Sequence, residues 1–171
     1  MAFFKFFHAT KTLEEDIQRE KDCILRIKNA VSQKCGIDKF VDYDDFTVAF
    51  AGSKDNMELM LEICTQKCQG KKYLYASVDD EVSWQEWDFN NLDEFENNII
   101  EYIANRVNRT VKTVIKKVKH KSYQETVYYL NNETNEWVLM EDDQTEDKFI
   151  CFIAANKTET EETIKTYKLE N

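Results

Sequence analysis

His8 and His120 are the only two imidazoles in a chain of 171 residues. Ser-His or Cys-His catalysis near neutral pH would need one of them as the base that takes the nucleophile's proton. Neither lies in a nucleophile motif, and both read as structural. The five cysteines (Cys23, Cys35, Cys64, Cys68 and Cys151) are odd in number and scattered. They suit a reducing compartment better than a disulfide framework, so a cytoplasmic location is expected. Cys64 and Cys68 would share a helical face at their spacing of four. Without a Cys-x2-Cys turn or a nearby histidine, they read as small core residues and not as metal ligands. Gly36, Gly52 and Gly70 are isolated from one another. A dinucleotide fingerprint or phosphate loop needs clustered glycines to let the backbone approach phosphate, so both are excluded in their usual form. No cofactor is expected.

The acidic cluster "DYDDFT" (Asp42 to Thr47) raises two further chemistries. It fails as a calcium loop, which needs a glycine at its sixth position and a glutamate at its twelfth, where Thr47 and Ser53 stand. Its aspartates also resemble the Asp-x-Asp motif of the haloacid-dehalogenase phosphotransferases, in which the first Asp attacks phosphorus and the second handles the leaving-group proton. In that family the motif follows a hydrophobic strand, whereas here "GIDKF" precedes Asp42 and the apolar run comes afterwards. The resemblance does not extend to the family. A solvated acidic turn is preferred over an enzyme built on Asp42, Asp44 and Asp45.

Charge is distributed unevenly. The chain has 33 acidic and 23 basic residues, a net charge of -10. "NRVNRTVKTVIKKVKHK" (Asn105 to Lys121) nevertheless holds seven cations, Arg106, Arg109, Lys112, Lys116, Lys117, Lys119 and Lys121, and no carboxylate. Such a segment could contact an anionic partner. On a helical wheel, however, Val107, Val111, Val114, Ile115 and Val118 gather on one arc with every cation outside it. A third helix could then run from Leu92 to Lys119, acidic at its start and basic at its end, as the helix dipole favours. The competing reading is a helix that ends near Arg109, followed by a strand through "TVKTVIKKVKHK" that pairs with acidic neighbours. The density of β-branched residues supports it. The helix is preferred.

The remaining elements follow from periodicity and caps. A first helix is expected from the capping box "TLEE" at Thr12, with Leu13, Ile17, Ile24, Ile27 and Val31 as its apolar stripe and Gly36 closing it. The aromatic "MAFFKFFHA" before it reads as a strand or helix start packed on the core, since it lacks the features of a signal peptide. "FTVAFAG" reads as a buried strand. Ser53 is expected to cap a second helix bearing Met57, Met60, Leu61, Cys64 and Cys68, which Gly70 ends. "KYLYASV" and "VSWQEWDF" are strands. Trp84 and Trp87, three apart, would point to opposite faces, one into the core and the other a possible interface anchor. "YQETVYYL" and "EWVLME" form a hairpin about "NNETN", "KFICFIAA" adds another strand, and the tail supplies one short element.

These elements predict an α+β fold, an antiparallel or mixed sheet of about five to seven strands with three main helices packed on it. One globular domain over 1–171 is expected, with the tip 1–10 and the tail 156–171 loosely packed. The richness in Asn, Lys, Ile and Glu matches AT-rich codons and a bacterial or phage source. The functional expectation is a non-catalytic cytoplasmic protein-interaction or regulatory domain, of immunity-like type, with a protein as partner. Nucleic-acid binding through Arg106 to Lys121 is the alternative, opposed by the charge of the rest of the chain.

Overall fold

The computed structural model describes residues 2–53, 56–79, 81–118, 121–144 and 158–168. Among these the fold is α+β, with two helices and two antiparallel sheets of five and four strands. A third helix and a single sheet, as expected from periodicity, are not what forms. The chain divides into two compact units, Met1–Val107 with Lys168–Asn171, and Asn108–Tyr167.

The first unit opens with helix α1 (Ala2–Cys35). Thr12 lies inside this helix, so the capping box predicted there is not its start. Cys23, Ile24, Ile27 and Val31 are buried, while Leu13 stays largely exposed. Gly36 ends the helix at φ +66, its N–H bonded to the Ser32 carbonyl at 2.9 Å, the left-handed stop anticipated for it.

Strands β1 (Val41–Asp42), β2 (Thr47–Ser53), β3 (Asn56–Cys68), β4 (Lys71–Val78) and β5 (Val82–Glu86) follow in spatial as well as chain order. Strand β3 replaces the predicted second helix. Its apolar residues satisfy the helical period, but Leu59, Leu61 and Ile63 also alternate at the period of a strand, and all three are buried. Tertiary pairing decides between the two periods: from Leu61 to Cys68, β3 pairs residue for residue with β4. Gly70 therefore sits in a tight hairpin turn with Gln69, both at positive φ (79° and 51°), as a two-residue loop of this hand requires. At its other end, β3 leaves regular geometry at Leu59 (φ 51), where the Asp79 carboxylate accepts the N–H groups of Leu59 and Met60 at 3.0 and 2.7 Å.

Both helices cover one face of this sheet. Lys72, on the same face as Leu74 and Ala76, pairs with Asp16 of α1. Trp84, opposite Ala76, meets Tyr102 edge-on at 5.5 Å. Tyr102 belongs to α2 (Asp93–Ala104), whose Phe95, Ile99 and Ile103 recur at helical spacing and are buried. Three acids in its first turn, Asp93, Glu94 and Glu96, face the positive end of the helix dipole. Buried carboxylates have defined partners. Glu20 of α1 accepts the Thr65 N–H at 2.6 Å, serving β3 where it extends beyond β2, and Glu96 receives Arg26.

Helix α2 stops at Ala104 and does not run on into the basic segment, correcting the preferred reading. Asn108 adopts φ 59, and the chain turns into β6 (Thr110–Val118). Thr110, Val111, Thr113, Val114, Ile115 and Val118 are stiff at χ1 and suit a pleated surface, which outweighs the helical wheel. The second unit is completed by β7 (Lys121–Asn131), β8 (Glu136–Gln144) and β9 (Glu159–Thr166), in the order β8-β7-β6-β9. The hairpin joining β7 and β8 turns through Asn131–Asn135, where the Asn131 side chain accepts the Glu133 N–H at 2.9 Å. The strand expected over "KFICFIAA" lies outside the described residues. The short C-terminal element is β9.

Candidate functional site

The basic segment contributes β6, one of the two inner strands of a sheet whose outer strands are acidic. Strand β6 pairs along its length with β9, bringing Lys117 to Glu161 at 2.5 Å. The Lys116 ammonium donates to the Gln124 side-chain oxygen at 2.9 Å. Arg109 stacks over the Tyr129 ring at 4.5 Å. Arg106 belongs to the first unit and is buried, its guanidinium 3.5 Å from the Tyr102 ring centroid. Lys119 lies outside the described residues, and Lys121 opens β7, where its backbone pairs with Val118. The cations are thus distributed over two units and largely engaged by this chain's own groups, as in the strand alternative.

Lys112 differs from these neighbours. Its ammonium lies 5.1 Å from the Tyr128 ring and 4.7 Å from the Trp137 ring, held by the negative faces of two aromatics. Strand register places Leu139, Tyr128, Lys112 and Ile164 in one row across β8, β7, β6 and β9, with their side chains on one face. Leu139 and Ile164, at the ends of the row, are 56% and 54% exposed. The next row, Asp142, Thr126, Val114 and Glu162, is polar apart from Val114. Gln124 at 2.8 Å and Thr126 at 3.1 Å both donate to Asp142, and these hydrogen bonds hold its carboxyl below the ordinary aspartate range. The Lys112 row is therefore aromatic and aliphatic around a cation, while the adjacent row carries two carboxylates, with Lys116 one row beyond.

Trp84 and Trp87 stand on opposite faces of the first sheet. Trp84 turns toward the helices, while Trp87 is 48% exposed and leans on Tyr73 at 4.7 Å. With Cys68, Gln69 and Lys71 it lines an open groove of about 520 Å³. A second groove of about 420 Å³ runs along α1, and most of its polar side chains have partners: Arg19 pairs with Asp16, Gln18 donates to Asp22, and Arg26 pairs with Glu96. The acidic cluster has three separate partners. Asp42 pairs with Lys28 and Asp45 with Lys21, each at 2.6 Å, while Asp44 accepts the Phe46 N–H at 2.7 Å. The two ion pairs fasten the segment before β2 to α1, and the Asp44 bond shapes the turn itself.

The thiols differ sharply in setting. Cys23 is fully buried beside Glu96, and burial above all, then the carboxylate, pushes its thiol far up. Cys68 is exposed on the β3–β4 hairpin. A maleimide probe is expected to label Cys68 within minutes in the folded protein and to reach Cys23 only on unfolding. Peptide mapping of the adducts reads the order, and early labelling of Cys23 would contradict its burial.

Sequence reasoning named the cations but missed their neighbours Tyr128, Trp137, Leu139 and Ile164. Alternation within "EWVLME" does put Trp137 and Leu139 on one side, yet their apposition to Lys112 depends on register between strands, which no single segment carries. No protein-family model matches the chain, and neither a curated protein nor a solved structure shows significant similarity to it.

Proposed function

We propose that this chain is a non-catalytic protein-interaction or regulatory module, and that the Lys112 face of its four-stranded sheet makes the contact. The carrying observation is the row Leu139, Tyr128, Lys112 and Ile164, where two aliphatic side chains are more than half exposed on a protein rich in surface charge. The number and scatter of the cysteines suit a cytoplasmic setting, with Cys23, Cys35, Cys64 and Cys68 free among the described residues, and the bacterial or phage origin suggested by composition belongs to the same reading. Among the described residues, no helix is long and apolar enough to cross a membrane.

Nucleic-acid binding through the basic segment is less favoured, because Lys116, Lys117, Arg106 and Arg109 are occupied within the chain. A photo-crosslinking residue placed at Leu139 or Ile164 in cells is expected to give discrete protein adducts. The same residue at Glu133, in the hairpin turn, serves as the control and is expected to give none. Equal adducts at all three positions, or nucleic acid in place of protein, would overturn the proposal.

A further inference from the structure

We infer that the segment recognised by this face is acidic and apolar together, placing a carboxylate on Lys112 and large aliphatic or aromatic side chains on Leu139, Ile164 and Trp137. This rests on the functional reading above and names the chemistry of the partner. Lys112 is half-buried in the middle of the sheet, and its described contacts are the rings of Tyr128 and Trp137. Further along the same strand, Lys117 has a carboxylate and Lys116 an amide oxygen, whereas among the described residues the partners of Lys112 are the two π-faces. A ring face attracts the cation without satisfying its N–H donors, and an incoming carboxylate could accept them while the rings remain beneath.

The surroundings fix the rest of the complement. Ile164 stands beside Lys112 in its own row and Leu139 beyond Tyr128, with Trp137 one pleat away on β8, so the row of the cation carries surface that gains from losing water. On the other side, Glu162 and Asp142 hold the adjacent row, about 7 Å further along the strands. They repel a second carboxylate there and confine the partner's acid to the Lys112 end. A long uniform polyanion would run over both rows and meet those carboxylates, which is why a protein segment fits this face better than a nucleic acid.

The test is selection of a random peptide library on the full-length chain, with counter-selection on the Leu139→Glu/Ile164→Glu variant. Peptides that depend on the face are expected to be enriched in Asp or Glu next to Leu, Ile, Phe or Trp. Their affinity is expected to fall roughly tenfold with Lys112→Gln and to be retained with Lys112→Arg, which keeps the charge over the rings. If the peptides depend on Leu139 and Ile164 but are basic or uncharged, the acidic-partner inference fails while the interaction face stands. If no selected peptide depends on the face, or if labelled single-stranded DNA binds there at low salt and competes with the peptides, both readings fail. Circular dichroism and amide spectra matching the parent establish that each variant has kept its fold.

Discussion

Phe50→Ala is expected to lower the stability of the first unit by about 3–5 kcal/mol, the range for truncating a fully buried aromatic. Phe50 is completely buried in β2 and meets Phe40 edge-on, with ring centroids 5.4 Å apart. Truncation removes the transfer free energy of the ring and leaves a void beside residues of β2 and β3 that are themselves buried, Val48, Leu59 and Leu61 among them. Those neighbours sit on hydrogen-bonded strands and can close the gap only in part. Native-state hydrogen exchange at the amides of β2 and β3 measures the loss where it occurs. Phe50→Leu, which keeps most of the volume, is expected to cost under about 1.5 kcal/mol. If Phe50→Ala cost no more than that, the site would be collapsing freely, and Phe50 would not be the centre of this core.

Strand β2 shows what a sequence can display. "FTVAFAG" is a short apolar run bounded by an acidic turn and a glycine, too short for a helix, and it forms a strand at that place. Strand β3 shows the opposite. "NMELMLEIC" carries apolar residues that satisfy both periods, so the decision falls to the partner strand β4 and the turn at Gln69 and Gly70. In the basic segment, the helical wheel and the β-branched content pointed different ways, and pairing with β7 and acidic β9 settled the matter. Local periodicity is blind to such pairing because the partner lies more than forty residues away at β9.

The candidate site was legible in part for the same reason. A run of cations is visible in any one segment, and Lys112 was named from it. What distinguishes Lys112 from Lys116 and Lys117 lies on the neighbouring strands: Tyr128 and Ile164 stand opposite Lys112 and Gln124 opposite Lys116, while Lys117 reaches Glu161 diagonally, past its register partner Glu159. The acidic cluster at Asp42, Asp44 and Asp45 illustrates the reverse error. Dense carboxylates invite a catalytic reading, but two of them are surface ion-pair partners of α1, and such exposed pairs contribute only about 0–1 kcal/mol each.

Arg26→Met is expected to destabilise the first unit by about 2–3 kcal/mol, well above the cost of breaking those surface pairs. The Arg26 Nε lies 3.0 Å from both Glu96 carboxylate oxygens, and an Nη reaches one of them at 2.6 Å. The hydrogen bonds to Glu96 raise the already high pKa of this guanidinium further, so its charge is fixed. The exposures of the two partners are unequal: the Arg26 side chain is half-exposed, while that of Glu96 is only 10% accessible. Removing the arginine therefore strands a buried carboxylate against the Cys23 thiol, whereas removing the glutamate releases a cation that can turn to water. This asymmetry predicts that Glu96→Leu alone costs less than Arg26→Met alone. It also predicts that the double variant Arg26→Met/Glu96→Leu is more stable than the sum of the single changes by at least about 1 kcal/mol, because the second change removes the charge the first left unpaired. Urea unfolding of the four proteins gives this coupling energy. Additive losses would show that Arg26 acts through its packing against α2 and not through the carboxylate.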